Sequence, residues 1–204
     1  MNIAIIGTGN VAQPLGSLLQ GASHRVIFGS RQTTGDRITS VEEAAKQGEL
    51  VILAVPYETA LELASRADIQ QALTGKIVID ITNPLAADYM SLLRVGHTSS
   101  AAERIQERLH GARVVKAFNT IFADVLSAKV QGEAVAATLF VASDDADAKA
   151  QVLTLASEMG FASVDSGALT NARYLEPVTE LAIQLAYGQG LGTRLGFQLI
   201  HVGK

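Results

Sequence analysis

The run Asn2-Ile3-Ala4-Ile5-Ile6 ends on Gly7-Thr8-Gly9-Asn10-Val11-Ala12, and apolar residues then recur at Val11, Leu15, Leu18 and Leu19. A short β-branched strand, a glycine-spaced turn and a helix in immediate succession constrain this chain more than any other feature. Pro14 falls in the first turn of that helix, where a missing N–H costs nothing. A GxGxxA spacing by itself is weak. Set between a strand and a helix at the start of a βαβ unit, it reads as the turn that holds a dinucleotide pyrophosphate. Gly7 permits the tight turn, Gly9 lets backbone approach the phosphates, and Ala12 keeps helix and strand close. The helix N-terminus supplies free N–H groups and partial positive charge to the phosphates, and Thr8, Asn10 and Val11 are the other residues of the turn.

The rest of the chain repeats the alternation. Residues 25–28, 50–55, 76–81, 113–117, 138–142 and 162–165 read as strands. Residues 11–20, 41–47, 57–67, 101–109, 146–159 and 172–187 read as helices, and 85–100 as a loop. Such alternation predicts an α/β, doubly wound, mostly parallel sheet covered on both faces, with a small helical C-terminal appendage. We expect a dinucleotide-binding domain over 1–161 and a segment over 162–204 that completes the site. Ligands of this fold bind beyond the carboxyl ends of the strands. The chemistry is therefore expected at residues 7–12, 29–31, 54–56, 81–84 and 117–120.

Composition narrows the partners. With 48% hydrophobic and 18% charged residues in 204, the chain can bury a full core. A net charge of −4 without a basic cluster argues against nucleic acid. The apolar runs at 50–55 and 134–142 are too short for a bilayer. Met1 leads into a strand with no basic segment before it, which predicts a cytoplasmic protein. The absence of cysteine excludes disulfides and thiolate catalysis.

The second strand ends Phe28-Gly29-Ser30-Arg31, with no carboxylate until Asp36. Members of this fold that bind NAD carry Asp or Glu there for the ribose 2′-hydroxyl. A hydroxyl and a guanidinium suit a 2′-phosphate instead, so NADP(H) is the expected dinucleotide.

With these residues placed, the chain resembles the NADP oxidoreductases dependent on the deazaflavin coenzyme F420, and it is similar to the reductase domain of the STEAP metalloreductases. The resemblance rests on residues 3–11, on Gly29-Ser30-Arg31, on Ala54-Val55-Pro56-Tyr57 and on Asp80-Ile81-Thr82-Asn83-Pro84. It continues through Val114-Val115-Lys116-Ala117-Phe118-Asn119-Thr120, Asp165-Ser166-Gly167-Ala168-Leu169, residues 171–177 and the glycines Gly188, Gly190 and Gly192. It implies NADPH laid across the strand ends, with Ser30 and Arg31 on the 2′-phosphate and Ala54, Val55, Pro56, Asn83 and Pro84 along the path to the nicotinamide. Ala117 and Asn119 would lie beside that ring. A small-molecule electron acceptor, a flavin or the deazaflavin, would stack between Asn119 and the C-terminal segment of a homodimer. The deazaflavin enzymes of the family carry His at the Asn119 place, and the Phe118-Asn119-Thr120 form is closer to the STEAP domain.

Other residues read more plainly. Lys116 lies in a strand and is expected to be structural rather than catalytic. His24, His97, His110 and His201 show no metal-ligand spacing, although His97 follows the Asn83-Pro84 turn. Asp144, Asp145 and Asp147 precede a helix and suit capping. Arg173 and Glu176 have the spacing of a helix-face ion pair. Two other functions stay open: reduction of a small carbonyl or imine, with Lys116, His97 or Tyr57 as donor, and a non-catalytic NADP(H) sensor.

Overall fold

The computed structural model describes residues 1–85, 95 and 98–202. It begins with strand β1 (Asn2–Ile6), helix α1 (Ala12–Gly21), strands β2 (Arg25–Gly29) and β3 (Ile38–Thr39), and helix α2 (Val41–Gln47). Strand β4 (Leu50–Leu53), helices α3 (Tyr57–Ala64) and α4 (Ala67–Leu73) and strand β5 (Ile77–Asp80) follow. Then come α5 (Ala101–Gln106), β6 (Arg113–Lys116), α6 (Ala123–Val130), β7 (Thr138–Val141), α7 (Ala146–Glu158), β8 (Ala162–Asp165) and α8 (Ala172–Ile183). No helix among the described residues is long and apolar enough to cross a membrane.

Six strands form one parallel sheet in the order β3-β2-β1-β4-β5-β6. That is the order of the doubly wound dinucleotide fold. Successive strand residues face opposite sides, and the apolar runs divide accordingly. Ile3, Ile5, Leu50, Ile52, Ile77 and Ile79 enter one core with Leu15 and Leu19 of α1 and Val152 of α7. Ala4, Ile6, Val51, Leu53 and Val78 enter the other with Ala44, Leu63, Ile69 and Ile105. Burial on both faces explains why these strands read as continuous apolar runs rather than alternating ones.

The structure departs from the sequence reading at five places. The single helix expected over 57–67 is two helices. Ser65 Oγ donates back to Leu61 O at 2.8 Å, and Arg66 is extended, so the axis breaks there. Strand β3 has only two residues, too few for a period. Helix α6 was not anticipated, since its buried residues Val125, Leu126 and Ala128 give little amphipathic signal. Strands β7 and β8 form a separate parallel pair, joined to the main sheet by one antiparallel bridge between Lys116 and Ala142. The helix expected over 172–187 ends at Ile183 and passes into a π-turn, Gln184–Gly188. The loop read over 85–100 lies largely, and His97 wholly, outside the described residues.

Candidate active site at the strand ends

The expected residues converge at the carboxyl edge of the main sheet. Strand β1 has β2 on one side and β4 on the other, so the crevice opens beyond Ile6. Gly7 N–H donates to Gly29 O at 2.9 Å, and Ala54 N–H donates to Ile6 O at 2.8 Å, tying the three strand ends together. Gly7 has φ +120°, and a Cβ there would lie 2.1 Å from Ala54 O. Only glycine fits. Gly9 differs, because a Cβ on it would meet no protein atom within 4 Å. No side chain caps the N-terminus of α1; Gln13 N–H donates to Gly9 O at 3.2 Å and Pro14 has no N–H, so the backbone offered to a ligand is that of Gly9 to Ala12.

Past β2, Ser30 N–H donates to Thr39 O at 2.9 Å, and Ser30 Oγ accepts from Gln32 N–H at 3.2 Å. Arg31 is exposed, and so is Asp36, the first carboxylate after it. Ala54 and Val55 are half-buried behind Gly7, and Pro56 is exposed at the start of α3.

The other half of the site is built from the ends of β5 and β6 and from α8. Thr82 N–H donates to Asp80 Oδ1 at 2.8 Å, turning the chain as it leaves β5. At the end of β6, Phe118 has φ +61°, uncommon for a bulky side chain. Its buried ring meets Phe161 edge-on, with centroids 6.2 Å apart, and that packing maintains the strained backbone. The turn aims Asn119 at Asn83. Asn119 Nδ2 lies 3.2 Å from Asn83 Oδ1, 3.0 Å from Leu175 O and 3.0 Å from Thr179 Oγ1. In return, Asn83 Nδ2 donates to Asn119 O at 3.2 Å, and Thr179 Oγ1 donates to the same oxygen at 3.0 Å. Because Leu175 O only accepts, the amide can take one orientation. Asn119 Oδ1 and Thr82 Oγ1 are buried without a hydrogen-bond partner among the described residues.

Behind this wall lies a buried ionic cluster. Lys116 Nζ is 2.8 Å from Asp80 Oδ2, 2.6 Å from Thr82 O and 2.8 Å from Glu176 Oε1, and Lys116 is fully buried. Its three hydrogens are thereby used. Burial pushes the ammonium down, but Asp80 and Glu176 outweigh it and hold Lys116 above the usual lysine value. For Glu176, burial lifts the carboxyl above its ordinary value against the pull of Lys116, and Asp80 adds to the rise. Lys116 is thus structural, as its strand position suggested. The Arg173–Glu176 pair inferred from spacing does not form. Arg173 Nε instead reaches Glu103 Oε2 at 2.9 Å, because α8 turns Glu176 inward to Lys116. Asp145 caps α7, accepting from Ala148 N–H at 2.7 Å, while Asp144 Oδ1 holds Leu169 N–H.

Two cavities open at this edge. One of about 380 Å³ takes Asn10, Val11, Asn83 and Asn119 from the expected set and adds Ile81, Phe118, Thr120, Phe122, Thr179, Ile183 and Tyr187. Its neighbour, about 560 Å³, joins Thr8, Gly9 and Asn10 to Gln13, Asp124, Ser127, Tyr187 and Thr193. Ala117 lies behind, fully buried. Ser30, Arg31, Ala54, Val55, Pro56 and Pro84 line neither. A groove of about 570 Å³ at Asn2, His24, Arg25 and Arg37 opens at the opposite strand ends, away from the crevice. Sequence reasoning missed Thr179, Ile183 and Tyr187. The only available signal was that Thr179 continues the buried line of Leu175, Ala182 and Ile183 along α8.

Comparison with known proteins finds relatives over nearly the whole chain. The family described as "NADP oxidoreductase coenzyme F420-dependent" matches residues 2–84. An F420-dependent NADP reductase of Methanothermobacter marburgensis is 33% identical over 218 residues, covering 91% of this chain and 92% of that protein. Metalloreductase STEAP3 of Rattus norvegicus is 33% identical over 184 residues, but the match spans 86% of this chain and only 36% of that protein. Among solved structures, a protein of Arthrobacter sp. FB24 with a provisional assignment as an F420-dependent NADP reductase superposes with TM-score 0.86 at 29% identity, covering 98% of this chain and all of the other. A strand-end crevice with an uncapped glycine-turn helix, matched along nearly its whole length by such a reductase, places this chain in the family of coenzyme F420-dependent NADP oxidoreductases.

Proposed function

We propose that this NADP-dependent oxidoreductase passes hydride between NADPH and a flat, flavin-like ring, either the deazaflavin coenzyme F420 or a flavin, with both rings meeting in the 380 Å³ cavity. One observation carries the choice of acceptor. Among the described residues, that cavity is lined by no His, Lys, Arg, Asp or Glu side chain. Its one titratable group, Tyr187, stands exposed at the mouth. Reducing a carbonyl or imine builds charge on one atom and calls for a placed donor. A conjugated ring spreads that charge over several atoms, so its reduction does not depend on a placed side-chain donor. Lys116 is locked among its three partners, and Tyr57 is buried outside the cavity, so neither serves as the donor.

The bound nicotinamide supplies the hydride, and the protein binds, orients and excludes water. The α1 amides and Gly9 hold the pyrophosphate, while Ser30 and Arg31 hold the 2′-phosphate. Val55 and Pro56 line the way inward. Val11, Ile81, Phe118 and Ile183 provide apolar walls, and Asn83, Asn119 and Thr179 complete the lining with polar side chains. In this reading residues 1–161 bind the dinucleotide, and 162–204 close the acceptor side through Thr179, Ile183 and Tyr187.

Arg31→Ala is expected to weaken NADPH binding roughly ten- to a hundredfold and to leave NADH nearly unchanged. A lost charge-assisted hydrogen bond is worth about 1.5–3 kcal/mol, and about 1.4 kcal/mol is tenfold. Calorimetric titration with both dinucleotides checks it; equal losses would remove the 2′-phosphate assignment. The acceptor is tested by following NADPH oxidation with coenzyme F420, FMN, ferric chelates and cyclic imines in turn. Turnover with imines alone would overturn the ring-acceptor reading, and silence with tight NADPH binding would leave a sensor.

We further propose a cytoplasmic homodimer. Large apolar side chains stand exposed on α8 and beyond it, at Tyr174, Leu181, Leu191, Ile200 and Val202, as an association surface would require. Light scattering is expected to give twice the 21.4 kDa chain mass; a monomer would refute it.

A further inference from the structure

We infer that Glu176 is a positioning residue for the acceptor side of the site: its buried carboxylate fixes the register of α8 so that Leu175 and Thr179 hold the Asn119 amide in the cavity wall. This rests on the hydride-transfer reading above.

Both carboxylate oxygens of Glu176 are engaged. Oε1 lies 2.8 Å from Lys116 Nζ and accepts from Ala102 N–H at 3.3 Å, while Oε2 accepts from Ala101 N–H at 2.9 Å. One side chain, 2% exposed, thus binds α8 to the end of β6 and to the start of α5. Through Lys116 it also reaches Asp80 and Thr82 O at the end of β5. These are the strand ends that lead into Asn83 and Asn119.

The other holds on α8 are the half-buried Arg173–Glu103 pair to α5, near its start, and apolar packing through Ala172, Leu175, Ala182 and Ile183. Apolar burial is non-directional and tolerates small slides and rotations of a helix. The Asn119 contacts do not. Leu175 O and Thr179 Oγ1 lie 3.0 Å from Asn119 Nδ2, one residue before Glu176 and three after it. A shift of α8 by about 1 Å away from Asn119 would stretch both bonds beyond hydrogen-bonding range. Directional charge at Glu176 supplies the precision that packing at Leu175 and Ile183 lacks. The dinucleotide contacts at Gly7–Val11, Ser30 and Arg31 belong to β1, α1 and β2, so the two substrates should respond differently to a loosened α8.

Glu176→Gln keeps the volume but turns an amide donor toward either Lys116 or the α5 N–H groups. Its melting temperature and its steady-state constants, measured well below that temperature, provide the test. We expect the KM for coenzyme F420 or FMN to rise about tenfold or more with a lower kcat, while the NADPH Kd stays within roughly twofold. Thr179→Val, which removes the hydroxyl at Asn119 and leaves the ionic cluster intact, should reproduce the acceptor defect with a smaller loss of melting temperature. The double variant should lose less than the product of the two. A Glu176→Gln protein with a lower melting temperature and wild-type acceptor constants would overturn the inference, and so would equal losses for NADPH and acceptor. If the wild type reduces no ring acceptor, the hydride-transfer reading fails instead. The register claim is then decided by hydrogen exchange: faster exchange in Glu176→Gln at residues 117–121 and 172–187, with 2–29 unchanged, upholds it, and unchanged exchange refutes it.

Discussion

Replacing Gly7 by alanine is expected to cost both the fold and the cofactor site, whereas the same change at Gly9 should cost only the cofactor site. At Gly7 the added methyl would meet Ala54 O at 2.1 Å and Ala54 C at 2.9 Å, and the Ala54 backbone, just past β4 and bonded to Ile6 O, cannot rotate aside. Residue 7 also stands at φ +120°, outside the range an L side chain adopts readily. Overpacking costs about 1–3 kcal/mol and an unfavourable backbone conformation about 1–3 kcal/mol more. To relax, β1 and β4 must part at the point where Ala54 N–H bonds Ile6 O. The α1 amides move with β1, and each charge-assisted hydrogen bond lost to the pyrophosphate costs about 1.5–3 kcal/mol, where about 1.4 kcal/mol is tenfold in affinity. Gly7→Ala should therefore melt several degrees lower and bind NADPH about a hundredfold more weakly. A Cβ at Gly9 meets nothing in the protein, so Gly9→Ala should keep the wild-type melting temperature and lose affinity only where the pyrophosphate approaches. Thermal melts and NADPH titrations on both variants separate the roles. A wild-type melt for Gly7→Ala would contradict the close approach to Ala54.

Lys116→Met should destabilise the protein by about 3–5 kcal/mol, the usual cost of leaving a buried charge without its partner. Asp80 and Glu176 would then face each other in the core without the ammonium now 2.8 Å from each. Against a total stability of about 5–15 kcal/mol that is a large share. For a chain of this size it corresponds to a melting temperature lower by roughly 6–20 °C. The pH dependence gives a second reading. The folded state holds the Lys116 proton above the usual lysine value of 10.5. Its contribution is therefore complete below that pH and is lost as pH rises through the higher folded value. In the variant, the two facing carboxylates bind protons more readily folded than unfolded, so acid should narrow the deficit. Urea melts of both proteins from mildly acid to alkaline pH check the sign. A deficit that widened toward acid would argue against two carboxylates sharing the site.

The family resemblance was visible in Gly7, Gly9 and Arg31 because each acts through local backbone or a single side chain. Asn119 was legible as a site residue, but its partners were not. Thr179 follows it by sixty positions, and no local period links them. Glu176 was misread for the same reason. Spacing offered Arg173 as its neighbour, and spacing says nothing of which way a helix faces once it docks.

Most of the strands and helices, the parallel sheet and the dinucleotide turn were determined by the sequence itself, because apolar period and glycine placement operate within a few residues. Only the tertiary structure decided how α8 meets β5 and β6. It also decided that a fully buried lysine links two carboxylates, and that the cavity beside Asn83 and Asn119 is walled by amides, hydroxyls and apolar groups. Those arrangements depend on the directions of side chains brought together from distant segments. A one-dimensional pattern records which residues are apolar, and it does not record what they come to rest against.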